Sequence, residues 1–501
     1  AGLQALRSVP LTSQALGRQL WLWLLADGLW LVLLLSLWRM DAQARRAADA
    51  GAVEPRPADA ARPVELAWLG RLWIVVLALA MRLPALMLPT VHSADAVRYL
   101  WDGAVQRAGQ NPYLDPPEAE RYRGVQQEQP ALFAAINHRH LPTIYPPVAQ
   151  AAFRLSAWLG SAGEPASVAL RRWKILCGTC EILLLALLWA QIKRRALDER
   201  WLSLWALCPL PAIEIWLNGH LDALGLLAVV GLVALWPRRA GTTTEPLRAA
   251  WGAGAVWALA VLVKPLALCA LPALRGLSRP AVRRFIAAGL VTAAVVWLPY
   301  REAGLHVTPS LGEYGRRWRS NDGAFALVQG AVQQAVDVAY RPPYWEPWRF
   351  PALARLVSGR VRDTVWPDEL VGFVARAVVA IPLLLLLWWV WRRRLAVDRG
   401  LLLLLTGYAL WTPVLHPWYL LWPLLLAPLW LPAALPVILL AALAPLAYVP
   451  LLRELTGGPH SETIWARLLQ HGAAWGAVAC TLPRLMRTLQ AEAEPRPGAG
   501  Q

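Results

Sequence analysis

Asp95 stands in a segment, Ala94 to Gly109 (ADAVRYLWDGAVQRAG), that leaves one long apolar stretch and runs through NPYLDPP, INHRHLPT and IYPPVAQ before the next begins. A carboxylate at such a boundary is partly desolvated, which raises its proton affinity toward the range useful for a general base acting on a water-soluble acceptor. Ser93-Ala-Asp95 before AVRYLWDG is equally a good helix start, and spacing alone leaves base and N-cap level. Asp102, seven residues on and on the same helical face, is either a second acid or the partner of Arg98 four residues before it, with pairing the favoured role.

Lys264 is the one Lys in the middle of an apolar run, and Pro265 follows it. A buried ammonium needs an anion or a shell of carbonyls, so a phosphate held at a helix break accounts for it, as does snorkelling to an interface. If a phosphate is what it holds, a neutral replacement should relieve a buried charge and leave folding intact. The turn NGHLDALG offers Asn218, His220 and Asp222 on a bend that glycine permits. These are too few for a metal set, so hydrogen bonding to sugar hydroxyls or phosphate ranks above metal. His416-Pro-Trp418-Tyr419 joins two apolar runs in the same manner, placing an imidazole beside two aromatics that can bind a phosphate or a sugar face, or anchor an interface. Glu214 sits near the outer end of its segment, within reach of solvent. The five cysteines lie in apolar runs, and Cys177-Gly-Thr-Cys180 has no second pair. Small buried thiols explain them better than a disulfide framework or zinc.

The elements that must carry these residues are membrane helices. Hydrophobic residues make up 57% of the chain, and apolar runs of about 15 to 24 residues recur along it, as a bilayer-spanning helical protein requires. Many of the thirty Trp fall at run ends, where indole suits the interface. The net charge of +17 comes almost entirely from Arg. Its clusters flank apolar runs and do not interleave with aromatics, so they fix topology and make nucleic acid a poor partner. Membrane segments are expected near 20–38, 68–89, 168–191, 201–217, 220–236, 250–274, 282–299, 369–391, 399–415, 418–431, 433–450 and 465–486. The fold class is therefore all-α, a polytopic membrane protein of about 11–13 transmembrane helices.

Arg45/Arg46, Lys193 to Arg195, Arg238/Arg239, Arg283/Arg284 and Arg392 to Arg394 can all be cytoplasmic if 250–274 is a re-entrant hairpin broken at Lys264-Pro265. That assignment gathers 90–167, the 218–222 turn, 300–368, the His416 turn and 451–464 on the other side, with most of the histidines. Residues 145–160 carry Arg154 and two prolines and read as a surface helix that does not cross. The chain then divides into an accessory first helix and cytoplasmic linker (1–66), a membrane catalytic module (67–300) containing the outward loop 90–167, a large outward loop (301–368), further membrane helices (369–488) and a cytoplasmic tail (489–501). The N-terminal run is long and has no small-residue cleavage site after it, unlike a cleavable signal.

Taken together, DAVRYLWDGAVQRAGQNPY, INHRHLPTIYPP, NGHLDALG, VLVKPLAL, WRSNDGAF at 318–325 and HPWYLLWPL resemble bacterial integral-membrane glycosyltransferases of the GT-C superfamily, especially its polyprenyl-phosphate-dependent mannosyltransferase-like group, over Trp68 to Tyr448. The resemblance implies surface helices in the first large extracytoplasmic loop, a catalytic acid there that falls on Asp95, and a donor of the polyprenyl-phosphate sugar type. Many relatives have two adjacent acids at that position; here Ala94 precedes Asp95, which weakens the case for a divalent metal, and no other cofactor is implied. The function expected is inverting transfer of a hexose, mannose first, to a lipid or glycan acceptor at the outer, periplasmic face of a bacterial inner membrane. Lys264, His416, Arg316 and Arg319 are candidates for the donor phosphate. Asn111, Tyr113, Tyr145, Asn218, His220, Asp222, Trp418 and Tyr419 are candidates for sugar or acceptor. The rival reading is a transporter or glycolipid flippase with a polar path through Asp27, Glu181, Glu214 and Lys264, against which no internal repeat is visible. A non-catalytic scaffold in envelope assembly would tolerate loss of Asp95.

Overall fold

The apolar runs fold in two ways here, as long continuous helices and as short pieces in proline-rich stretches. The computed structural model describes residues 12–49, 64–236, 247–304, 307–339, 367–458 and 463–491. Arg238, Arg239, His306 and His460 lie outside them, with 50–63 of the linker, 340–366 of the large loop and 492–501 of the tail. In chain order the main helices are α1 (Ser13–Asp49), α2 (Val64–Met87), α3 (Asp95–Arg107), α4 (Pro147–Trp158), α5 (Ala166–Arg194), α6 (Asp222–Leu235), α7 (Leu247–Val261), α8 (Arg279–Trp297), α9 (Val307–Arg317), α10 (Ala324–Ala339), α11 (Pro367–Arg393), α12 (Val397–Trp411), α13 (Leu435–Ala442) and α14 (Ile464–Ala491). No strand occurs among the described residues; Ser320 and Val414 form one isolated bridge. The protein is an all-α polytopic membrane protein.

Among the described residues, five helices are long and apolar enough to cross a bilayer: Ser13–Gln43, Gly70–Met87, Ala166–Arg194, Arg279–Ala303 and Leu370–Arg393. The pair Leu435–Ala442 and Ala444–Leu455, bent by 44°, makes a sixth. The other apolar segments are divided into short pieces. Around 201–217, prolines 209 and 211 separate one-turn helices; Pro417–Leu429 is likewise a broken apolar rod. Proline removes a backbone donor and clashes with the preceding turn, so these stretches survive at membrane depth only where protein encloses them. Leu421, Leu424 and Leu425 are accordingly fully buried, while the long helices expose Trp21, Leu25 and Leu29 of α1, Leu290 and Val295 of α8 and Leu384, Leu385 and Trp388 of α11 to the lipid side.

The segment expected as a hairpin is one. α7 runs to Val261, Lys264 is extended (φ −156°, ψ 130°), and a 3-10 helix returns over Pro265–Gly276. Its tip meets the surface helix α4, where the Val148 N–H donates to the Leu262 carbonyl at 3.0 Å. Its other end carries Arg275, stacked 3.8 Å over Trp391 at the foot of α11. Arg195, Gly276, Arg394 and Leu429 line one small cavity at that foot, whereas Asp95, Lys264, His416 and Tyr448 line another at the opposite end of the bundle. The Arg-flanked ends are thus together, and the polar loops are together. Cysteine placed at Arg194 or Arg393 in a cysteine-free background is expected to be labelled from one side of the membrane, and cysteine at Arg139 from the other. A shared side for Arg139 and Arg194 would contradict this arrangement.

Separation of α1 along the sequence does not separate it in space. Trp30 Nε1 donates to the Ser203 carbonyl at 3.3 Å, and the Trp23 ring lies 5.7 Å from that of His92. A buried ion pair ties α2 to α5: Arg82 grips Glu181 at 2.7–3.2 Å, and Trp205 and Trp216 also donate to that carboxylate. In the first large loop, α3 packs closely on α4, since a Cβ at Gly103 would come within 2.6 Å of the Phe153 carbonyl. With 12 residues, α4 is too short to span, and it buries Ala149, Gln150, Ala152, Phe153 and Ser156 on one face.

Candidate active site

α3 starts directly behind the cavity floor. Ala94 is its N-cap residue, Asp95 its first helical residue, and the Asp95 N–H donates to Ser93 Oγ at 3.2 Å. The Asp95 carboxylate therefore caps nothing, and the N-cap reading gives way: its side chain, 37% exposed, looks into a cavity of about 860 Å³. Desolvation in the cavity wall raises its carboxyl to about 6, and the Lys264 ammonium works against that rise. An acid in that range is a carboxylate at neutral pH and still basic enough to accept a proton.

Lys264 reaches the same cavity from the hairpin break. Its ammonium donates to Asp222 Oδ1 at 2.7 Å and lies 4.1 Å over the Tyr419 ring. Asp222 is fully buried at the start of α6 and also accepts from Trp422 Nε1 at 2.6 Å. The snorkelling reading of Lys264 does not hold, because the side chain is fixed inside protein. The NGH turn depends on Gly219, whose φ of +72° favours glycine and whose carbonyl accepts from Trp173 Nε1 at 2.7 Å. That turn sets His220 against Trp418 at 3.8 Å, and His416 covers the other side at 4.4 Å, so the indole is sandwiched between two imidazoles. Arg98 lines the cavity as well, held by Asp102 (2.9 Å) and the Leu141 carbonyl (3.1 Å). Aromatic walls come from Tyr145, Tyr314, Trp318, Tyr408, Tyr419 and Tyr448, with apolar Leu266, Cys269, Pro450 and Leu451 beside them. Two carboxylates, Asp95 and Glu454, line this space, and a carboxylate, cations and sugar-sized aromatic faces together can bind a phosphorylated sugar and deprotonate an acceptor hydroxyl.

Residues 3–278, over half of the chain, match the model of the MptA/B family, described as alpha-(1->6)-mannopyranosyltransferase, N-terminal domain. The chain belongs to this family. No curated protein and no solved structure matches it. Mannosyl transfer is the activity that membership supports, in line with the resemblance carried by the DAVRYLWDG and INHRHLPTIYPP motifs.

In this mannosyltransferase-family chain the other expected site residues divide by position. His416, Trp418, Tyr419 and Tyr145 line the cavity with Asp95 and Lys264. Asn218, His220 and Asp222 form a buried layer behind it: Asn218 Oδ1 accepts from the backbone N–H groups of Val91 and His92 (3.3 and 3.2 Å) and so holds the loop leading to Asp95. Asp102 is fully buried among Arg98, Thr143 and Gln150, pinning α3 to α4 and taking no place in the cavity. Asn111 and Tyr113 are structural too: the Asn111 side chain accepts from the Tyr113 N–H, and the buried Tyr113 hydroxyl donates to the Tyr145 carbonyl at 2.6 Å. The two loop arginines proposed for phosphate are engaged elsewhere, Arg319 with Asp322 (2.6 Å) and Arg316 with Glu313 (3.5 Å), and neither lines the cavity. Asp322 is shared with Arg467 of α14 at 2.5 Å, which fastens the large loop near the His416 turn. Arg98 is the cation that sequence reasoning placed only as an ion-pair partner; its spacing to Asp102 hid its reach. Among the described residues no three His, Cys, Asp or Glu side chains converge as a metal-ligand set.

Proposed function

We propose that this chain transfers one mannosyl residue, with inversion, from a polyprenyl-phosphate donor to an acceptor hydroxyl at the outer face of a bacterial inner membrane, with Asp95 as the base. The observation that carries the reading is the meeting of Asp95, Lys264, Arg98 and His416 around one cavity beside an apolar wall. The acceptor oxygen attacks the anomeric carbon as the bond from that carbon to the phosphate oxygen breaks. The hydroxyl proton passes to Asp95, and the phosphate leaves with the electron pair, its charge offset by the Lys264 ammonium and the Arg98 guanidinium. Inversion follows from attack on the face opposite the leaving group. The prenyl chain lies against Leu266, Cys269, Pro450 and Leu451, where each methylene removed from water contributes about 0.8 kcal/mol.

A transport path through Asp27, Glu181, Glu214 and Lys264 has less support. Glu181 is occupied by Arg82 and two indoles, and of the four only Lys264 lines the cavity. The deciding experiment incubates purified protein with radiolabelled polyprenyl-phosphate mannose and a membrane lipid extract across a pH series. Label is expected to reach an acceptor with the anomeric configuration reversed. Because Asp95 works as a carboxylate and its carboxyl titrates at about 6, kcat/KM should rise with pH through that value and level off above it. Lack of transfer from the lipid-linked donor, with transfer from a nucleotide sugar instead, would overturn the donor assignment.

A further inference from the structure

Behind Asp95, on the side away from the cavity, lies a series of buried groups that the transfer step leaves unused. His220 Nδ1 is 3.9 Å from Asp95 Oδ2, and His220 Nε2 is 3.4 Å from Glu214 Oε2; the imidazole and the Glu214 side chain are both 0% exposed. Among the described residues neither ring nitrogen has a hydrogen-bond partner, although the ring is stacked against Trp418 and its backbone N–H donates to the Glu214 carbonyl at 2.9 Å. A buried imidazole set between two carboxylates, and satisfied by neither, is what a proton-sharing position looks like between turnovers, since such polar groups are otherwise paired. Glu214 itself is held by the Tyr448 hydroxyl (2.9 Å) and Asn218 Nδ2 (3.1 Å), on a π-helical turn over Ala212–Leu217 of the kind found at functional sites. No Lys or Arg among the described residues pairs with it.

We propose that His220 and Glu214 are positioning residues that carry the acceptor's proton away from Asp95. The proposal rests on the assignment of Asp95 as base. Burial pushes the Glu214 carboxyl up to about 8, above that of Asp95, so in its ionised form Glu214 is the stronger base of the two. Protonated Asp95 gives its proton to His220 Nδ1 while the proton on His220 Nε2 passes to ionised Glu214. Asp95 returns to a carboxylate, the imidazole changes tautomer, and Glu214 becomes a carboxylic acid; once product has left, the same transfers run backward, from Glu214 to His220 Nε2 and from His220 Nδ1 to Asp95, and Asp95 gives the proton to water in the open cavity, which restores the starting tautomer. With donor and acceptor filling the cavity, Asp95 has no open path to bulk water, so an internal acceptor resets the base without product leaving first. The groups that bias this series are Lys264, His92 and His416 around His220, Asp222 near both carboxylates, Tyr448 on Glu214, and Tyr99 and Tyr145 near Asp95.

Glu214→Gln keeps volume and hydrogen bonding but cannot take the proton. In the full-length protein with polyprenyl-phosphate mannose as donor, kcat is expected to fall about tenfold with donor KM unchanged. The acid limb of the kcat profile should move to lower pH, because only Asp95 and no longer Glu214 must be ionised, and the solvent deuterium isotope effect on kcat should grow as Asp95 loses its proton directly to solvent. Glu214→Asp should regain much of the turnover, and His220→Gln should reproduce the altered profile. If Glu214→Gln does not fold, His220→Gln carries the same readouts. Wild-type kcat and pH profile in a folded variant would overturn the relay, and so would a loss of turnover that leaves profile and isotope effect unmoved. An active Asp95→Asn would instead remove the base assignment itself, so the two failures are separable.

Discussion

Asp95→Asn is expected to lower turnover by at least about a hundredfold while the protein stays folded and still binds donor. Asparagine keeps the size of the side chain and most of its hydrogen bonding, but it cannot accept a proton. The fold should not suffer, because α3 draws no cap from this side chain: the contact at the helix start runs from the Asp95 N–H to Ser93 Oγ, which the substitution leaves in place. Replacing a carboxylate that desolvation already disfavours is, if anything, stabilising. Single-turnover transfer from labelled polyprenyl-phosphate mannose, run beside thermal unfolding and donor binding, separates chemistry from folding. Near-normal turnover would demote Asp95 to a cavity-lining residue and point to a scaffold or to another base.

Lys264→Met should damage both stability and transfer. Sequence reasoning expects the change to relieve a buried charge, but the ammonium is paired with Asp222 at 2.7 Å, and Asp222 is fully buried. Removing one partner leaves the other charge enclosed, for which the loss is on the order of 3–5 kcal/mol. Trp422 still donates to Asp222 and softens that loss. Transfer should weaken separately, by about 1.5–3 kcal/mol, if the remaining ammonium hydrogens meet the donor phosphate. The double variant Lys264→Met with Asp222→Asn removes both charges, so it should recover most of the stability and none of the donor affinity. Lys264→Arg should restore only part, because a planar fork does not fit the space of a compact ammonium between Asp222 and the Tyr419 ring. Donor affinity unchanged in the stable double variant would show that the lysine serves folding alone, leaving Arg98 and His416 to hold the phosphate.

By itself the sequence determined the membrane character, set the Arg-flanked ends apart from the polar loops, and singled out Asp95 as a candidate residue. Apolar runs and their Arg flanks act within one segment at a time, so their consequences are local: each run must leave water, and each cluster must stay at a surface. The break at Lys264-Pro265 was legible because proline disfavours the helical turn before it, although α2, α11 and α14 carry Pro84, Pro382 and Pro483 without breaking. Asp95 was legible because a carboxylate just beyond an apolar run has a known depth. What the sequence left level was the choice between N-cap and base, and the structure decides the first half of it by showing Ala94 as the cap residue with the carboxylate turned into the cavity. Continuity of the apolar segments was likewise beyond local reading, because the Pro417–Leu429 and 201–217 stretches keep a broken backbone only where neighbouring helices enclose it.

The pairings were decided by tertiary structure alone. Lys264 meets Asp222 across 42 positions, His220 comes to face both Asp95 and Glu214, His416 and His220 close on one indole, and Arg319 is drawn off by Asp322. Whether a buried cation answers a phosphate or a carboxylate depends on the depth and rotation of each helix about its axis. Those are set by side chains interlocking over the whole bundle, as where the backbone at Gly103 lies against α4, and no single segment carries that information.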